Sequence, residues 1–475
     1  MRAWLLFGCA CAVIVVGLGL RRPVATNDGV RRITYWEKWT GFEGAAAQAT
    51  VDAFNAVERR RAAREPDYRP IEVEMVTVSS LHQKLLVAIA GGDPPAVAGG
   101  WTWLVYSYSE KGALLPLDPF IARSNLTSDQ FLPVFWDMCR YQGRTWALPT
   151  TPASTALHWN KRLFREAGLD PAAPPTTLAE LAEYARRLTV WQVTLADGSQ
   201  ELRRGWAADI DAADKRLVQV GFLPNEPNWW PWAWGYYFGG RLWDETGRIT
   251  ASDPANVAAF TWARDWAERL GPEDVRRFTS GFGNFSSPTN PFMAGKVAMQ
   301  LQGVWMYQFI DQYAPGLEWG AAPFPHPAGR PDLAGCNNVE ADVLVMPRGC
   351  PHPEEAWQFM RFVASQQGME ILCLGHRKFS PLRAVSEEFR RTHPHPAIDL
   401  FRQLALHDNG FSTPKLGIWN EYKRELGVAF NQVFLAGADP FEALSAVEAR
   451  IQASYDRNRA RQERRRTAAE PEVRP

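Results

Sequence analysis

Between Asn225 and Gly240 the chain reads NEPNWWPWAWGYYFGG, which puts Trp229, Trp230, Trp232, Trp234, Tyr236, Tyr237 and Phe238 within ten positions. The chemistry such side chains offer is recognition. An indole presents a large, flat, weakly polar face and a single N–H donor. The C–H-rich face of a pyranose ring stacks on that kind of plane, so carbohydrate is the natural ligand class. The competing reading is an aromatic core plug, because aromatics also dominate ordinary interiors. Alternation of Trp230, Trp232 and Trp234 hints at a strand, but Pro227 and Pro231 argue against a central one. The prolines flanking Trp229 and Trp230 point to a stiff loop held at a lobe edge. The run is too short and too broken to span a bilayer.

The whole chain is rich in the same residue, with 21 tryptophans in 475 positions. Other chemistries find little support. There is no G-x-S-x-G, no P-loop and no H-E-x-x-H. Cys139, Cys336, Cys350 and Cys373 form no C-x-x-C pair, and VEADVLVM between Cys336 and Cys350 would hold those two apart if extended. The HPHP at 393–396 reads as a loop. No catalytic, metal or cofactor residue is therefore nominated. A glycoside-cleaving enzyme would need two carboxylates about 5 to 10 Å apart across the scissile bond, and a sensor lobe without transport is a third class. Lys+Arg and Asp+Glu balance at 52 each, which gives no electrostatic funnel for nucleic acid.

A chain of 475 residues calls for two or more lobes. From residue 31 short strands alternate with helices. RRITYWEKW and IEVEMVTV read as strands, and SLHQKLLVAIAGG as a helix ended by Gly91-Gly92. PAVAGGW reads as a short strand running into a loop. Repeated β-α-β units make a mostly parallel sheet whose ligands bind beyond the strand ends. Trp39, Glu43, Ser79, Ser80, Trp101 and Trp103 all fall there. Further on, RTWALP and TALHWNKRLF read as strands, and PPTTLAELAEYARRL carries a Thr177/Glu180 capping box. SDPANVAAFTWARDWAERL starts at Asp253-Pro254, and GKVAMQLQGVWM is a strand ending at Gly303 with Trp305 just past it. Trp262 and Trp266, four apart on a helix, read as core. Glu43 is open to a second reading as a helix-start carboxylate.

The N-terminus, MRAWLLFGCACAVIVVGLGLRRP, has a positive start and an apolar run from Ala3 to Leu20, the form of an export signal. Residues 1–22 are thus expected to be a signal peptide or a membrane anchor, placing the protein in the periplasm or on the extracytoplasmic face. At the other end, DRNRARQERRR reads as a solvated, fraying helix end, with 461–475 a disordered tail.

The ordered set LLVAIAGGDPP, GALLPLD, YQGRTWALPTTPASTALHWNKRLFREAGL, PPTTLAELAEYARRL, FMAGKVAMQLQGVWM and PEEAWQFMRFVAS resembles the family 1 extracellular solute-binding proteins of ABC importers, over about residues 31 to 455. The resemblance implies an α/β, two-lobe periplasmic-binding-protein fold of type II, with a hinge and an interlobe ligand cleft. It implies an N-terminal lobe from 31–149 with 339–378, and a C-terminal lobe from 154–335 with 379–460. The chain would cross between them at Pro149 to Ser154 and again near Asn337–Val339. It places Asn337 and Asn338 beside the cleft, Trp305 on the sugar, Trp229 and Trp230 at another aromatic subsite, and Trp419 where a late tryptophan closes the site. Trp101 or Trp103 takes the first-lobe position. The implied partners are a carbohydrate ligand and ABC permease subunits, with the binding protein a monomer. One departure is Ala96, where many relatives carry an Asp.

Overall fold

The computed structural model describes residues 29–469, apart from positions 213, 245 and 284. Residues 1–22, for which an export signal or anchor is expected, and residues 470–475 lie outside the described residues. In the first lobe β1 (Arg31–Glu37) leads into α1 (Gly41–Arg64), β2 (Ile71–Thr77) into α2 (Leu81–Gly91), and β3 (Val97–Trp101) into α3 (Thr102–Glu110). β1 pairs in parallel with both β2 and β3. Each strand alternates inward residues, Ile33 and Tyr35 on β1 and Ile71 and Val73 on β2, onto a core shared with Phe54 of α1. Helix α2 ends where expected, with Gly92 in the left-handed region at φ 77°.

The long strand β4 (Ala147–Asn160) is buried along its whole length. Its first half pairs antiparallel with the late strand β10 (Asn337–Val345), and its second half with β8 (Val297–Gly303). In the second lobe come α4 (Leu178–Leu188), β5 (Val190–Thr194), β6 (Gln200–Arg204), β7 (Lys215–Phe222), α5 (Pro254–Leu270), β8, α6 (Met306–Tyr313) and β9 (Trp319–Ala322). One curled sheet results, in the order β2-β1-β3-β10-β4-β8-β7-β5-β6, with β9 also on β4. The Thr177/Glu180 box caps α4 as its sequence predicts. Its apolar stripe lies so close to β7 that a Cβ on Gly221 would run into the backbone of Ala185; only glycine allows that approach.

Beyond β10 follow α7 (Pro353–Val363), α8 (Gln366–Gly375), α9 (Ile398–Ala405), α10 (Trp419–Ala436) and α11 (Pro440–Ala469). Leu382 and Phe389 pack with Ile33 and Tyr35 in the first core. Residues 161–166 are helical, capped by Asn160, whose side chain accepts from the Leu163 N–H; the strand expected through TALHWNKRLF stops there. Residues 461–469 continue α11, which is rooted in the second core by Leu444, Val447 and Ile451. It reaches back to the first lobe, where the Asn458 amide donates to Glu110 at the end of α3 (2.6 Å). The thiols of Cys139, Cys336, Cys350 and Cys373 are free.

Candidate functional site

A cavity of about 1110 Å³ opens between the lobes. β1 and β3 end on one wall of it, so the turn before α1 and the start of α3 deliver Trp39, Trp101 and Trp103. Trp101 stacks on Trp103 (5.8 Å, 14°), and Trp39 stands edge-on to Trp101 (6.3 Å). The facing wall carries Trp229 and Trp230 from the proline-flanked loop, with Trp305 just past β8. Trp305 lies 5.9 Å from Trp230 and 6.3 Å from Trp229, while Phe285 packs edge-on against Trp229. Phe42 of α1 meets Phe309 of α6 at 5.3 Å, joining the two walls. The indole Nε1 of Trp305 and Oε1 of Gln308, both on this wall, have no hydrogen-bond partner among the described residues.

The floor is polar and comes from the interrupted centre of the sheet. Pro149 and Pro152 cannot donate to the β4–β10 ladder, and the register slips between Ala341 and Val343. Asp342 sits in that slip. Its Oδ1 pairs with Lys38 Nζ (3.1 Å), and its Oδ2 pairs with Lys378 Nζ (3.2 Å) and accepts from the Thr151 hydroxyl (2.5 Å). Burial alone would raise the Asp342 carboxyl, but the two ammonium groups outweigh it and hold it well below the usual range. Burial likewise opposes the charge on Lys38, and Asp342 and Glu37 overcome it, leaving Lys38 above its ordinary value. The ammonium groups also lie on indole faces: Lys38 is 4.5 Å from the Trp39 ring centre, and Lys378 is 5.6 Å from Trp39 and 5.9 Å from Trp305. Glu43, in the first turn of α1, is pushed up to about 7 by burial, against the pull of Lys378. Glu340 lines the cavity from β10, accepts from the Thr413 hydroxyl and is raised by burial.

Of the residues nominated from sequence, Trp39, Glu43, Trp101, Trp103, Trp229, Trp230 and Trp305 line this cavity. Four do not. Ser80 is exposed after β2, the edge strand of the sheet, whose end falls outside the cleft. Gly303 lies behind the wall, where a Cβ would strike the Trp305 ring; its part is to let that indole lie against the strand end. Asn337 is fully buried, and its amide ties Gly335 to the Leu404 carbonyl of α9 (3.0 and 2.9 Å). Trp419 faces inward from the first turn of α10, edge-on to Trp232 at 5.0 Å, 1% exposed. It is core, so Trp419→Ala is expected to lower stability by about 3–5 kcal/mol, read as a loss of melting temperature. A variant that melts like the parent but loses ligand would return Trp419 to the site.

The opening run therefore divides. Trp229 and Trp230 face the cavity, whereas Trp232, Trp234, Tyr236 and Tyr237 enter the second core through a short helical turn. Lys38, Asp342, Lys378, Glu340, Phe285 and Phe309 are among the lining residues that sequence reasoning missed. Lys38 alone had a signal, standing beside Trp39 at a strand end.

With the geometry in place, likeness to known proteins becomes informative. The profile of the bacterial extracellular solute-binding protein family matches residues 42–370. The chain belongs to that family. A binding protein of Brucella abortus is 23% identical over 401 residues, 84% of this chain and 89% of its own. The maltotriose-binding protein of Pyrococcus abyssi is 23% identical over 278 residues, 58% of this chain and 51% of its own. Among solved structures, CpMnBP1 with mannobiose bound has a TM-score of 0.72 at 24% identity, covering 88% of this chain and 98% of that one. At that identity the likeness establishes the two-lobe fold. Among the described residues no helix is long and apolar enough to cross a membrane.

Proposed function

We propose that this solute-binding protein captures a neutral carbohydrate in the interlobe cavity and hands it to the permease subunits of an ABC importer. The observation that carries this reading is the pair of facing tryptophan walls over a floor whose charges are already matched. Lys38 and Lys378 are answered by Asp342, with Glu37 beside Lys38 (3.6 Å), and the third lining lysine, Lys423, has the Glu340 carboxyl as its acidic neighbour. Fixed polar groups beneath aromatic walls suit hydroxyls, and the volume is at the upper end for small-molecule sites. The maltotriose and mannobiose in the names of the relatives point the same way.

The site reads as binding and not as catalysis. Glu340 and Asp342 lie two apart on β10, about 7 Å by strand spacing, within the range a glycosidase uses. Yet both oxygens of Asp342 are held in ion pairs, which leaves it poorly placed to attack a sugar carbon. We assign the hinge to Pro149–Ser154 and Asn337–Val339, and the export signal to residues 1–22.

A thermal-shift series with mannobiose, maltotriose and sn-glycerol 3-phosphate tests the ligand class. A neutral sugar is expected to raise the melting temperature with concentration, by roughly 2.7 kcal/mol of stabilisation at a hundred times Kd. A shift with the phosphate alone would sink the carbohydrate reading. X-ray scattering should show a smaller radius on sugar binding as the lobes close, and the recovered sugar should be intact; a cleaved product would make the protein an enzyme.

A further inference from the structure

Behind the first tryptophan wall lies a histidine that the binding geometry above leaves unused. His376, just past α8 and two residues before Lys378, is 1% exposed and stands edge-on to Trp39, ring centres 6.1 Å apart. Its Nδ1 is 3.8 Å from Oε1 of Glu43, whose side chain is 13% exposed and lines the cavity. Neither ring nitrogen of His376 has a hydrogen-bond partner among the described residues. A buried polar group left without a partner is costly.

The charged groups around the pair are Lys38 and Glu37 from β1 and its end, Asp342 from β10, and Lys378 from the segment after α8. Burial, then the Lys378 ammonium, holds His376 down to about 3, so its ring is neutral and offers one acceptor nitrogen. Glu43, raised to about 7 by burial, carries its proton below that pH and offers one donor. Donor and acceptor stand less than 1 Å beyond hydrogen-bonding distance.

We propose that His376 is a positioning residue that holds the Glu43 carboxyl by one oxygen and aims the other into the ligand cavity, tying ligand capture to external pH. This rests on the carbohydrate reading for the nature of the ligand. In the paired state the Glu43 O–H donates to His376 Nδ1, and its carbonyl oxygen is free to accept from a ligand hydroxyl. A bound ligand excludes water from Glu43 and so favours the protonated form further. Affinity is then constant below pH 7 and falls as pH rises through 7, by at most tenfold per pH unit.

The first test needs no ligand. Protein labelled with carboxyl-13C glutamate is titrated by NMR, with Glu43→Gln identifying the resonance. The wild type is expected to titrate near 7. His376→Ala, which removes the acceptor and admits water, should drop the midpoint by a unit or more, and His376→Gln, which restores an acceptor, should recover part of it. A wild-type midpoint in the ordinary carboxylate range, or one that His376→Ala leaves unmoved, overturns the pairing. The second test follows maltotriose affinity from pH 5.5 to 8.5: a fall above 7 that Glu43→Gln abolishes is expected, and a flat wild-type profile overturns the link to capture. If maltotriose fails to bind at any pH while the carboxyl titration holds, the pairing stands and the carbohydrate reading is what falls.

Discussion

Trp230→Ala and Trp305→Ala are each expected to weaken sugar binding by roughly thirtyfold while leaving the cooperative melt in place. The two indoles lie 5.9 Å apart on one wall of the cavity. Trp305 rests on the bare backbone of Gly303, and its N–H has no partner among the described residues. Truncating a well-placed aromatic anchor typically costs about 2 kcal/mol or more in binding, and 1.4 kcal/mol is a decade in Kd. Folding should survive because these side chains form a cavity wall, unlike Trp232, which is 2% exposed in the second core. Trp232→Ala is the control and should lose stability. Calorimetric titration of each folded variant with mannobiose or maltotriose reads the effect. If either cavity variant loses its cooperative melt while affinity in the folded fraction is unchanged, that residue is core and the wall reading fails.

The two banks of tryptophan were legible because strand ends are legible. Trp39, Trp101 and Trp305 follow alternating or continuous apolar runs, and that periodicity locates the end of a parallel strand and with it the cleft. Trp229 and Trp230 were set apart from Trp232 by Pro231, which breaks any regular element. Residues whose placement depends on tertiary contact were not legible. Asp342 lies inside VEADVLVM, a run that reads as plain strand, and it becomes a site residue only because prolines in β4 disturb the ladder opposite. Lys378 and His376 come from a segment that shows no strand-end pattern. Trp419 fails in the opposite sense: a tryptophan at a helix start reads alike whether it turns toward the cleft or the core, and contact with Trp232 decides it.

A loss of stability as large as that expected for Trp419→Ala follows from Asp342→Ala. That change leaves the Lys378 ammonium, whose side chain is 4% exposed, without the carboxylate it pairs with, and removes the closer of the two acids beside Lys38. Removing one partner from a buried pair typically costs about 3–5 kcal/mol, and urea unfolding should show a loss of that size. The pH dependence has a definite sign. Asp342 is held below its ordinary value in the folded protein, so its contribution is complete above the unfolded carboxyl value of about 3.9 and fades as pH falls through the folded one. The gap between wild type and variant should therefore be undiminished at pH 5 compared with pH 7. The combined Glu37→Gln, Lys38→Met, Asp342→Leu, Lys378→Met protein separates stability from function, because it neutralises the buried ion cluster as a whole, and replacing such a cluster by uncharged groups is often neutral or stabilising. It should recover much of the lost stability yet bind sugar poorly, since the polar floor is gone. An Asp342→Ala protein within 1 kcal/mol of the parent would mean that water, and not the carboxylate, satisfies these lysines, and the matched floor that favours a neutral ligand would lose its basis.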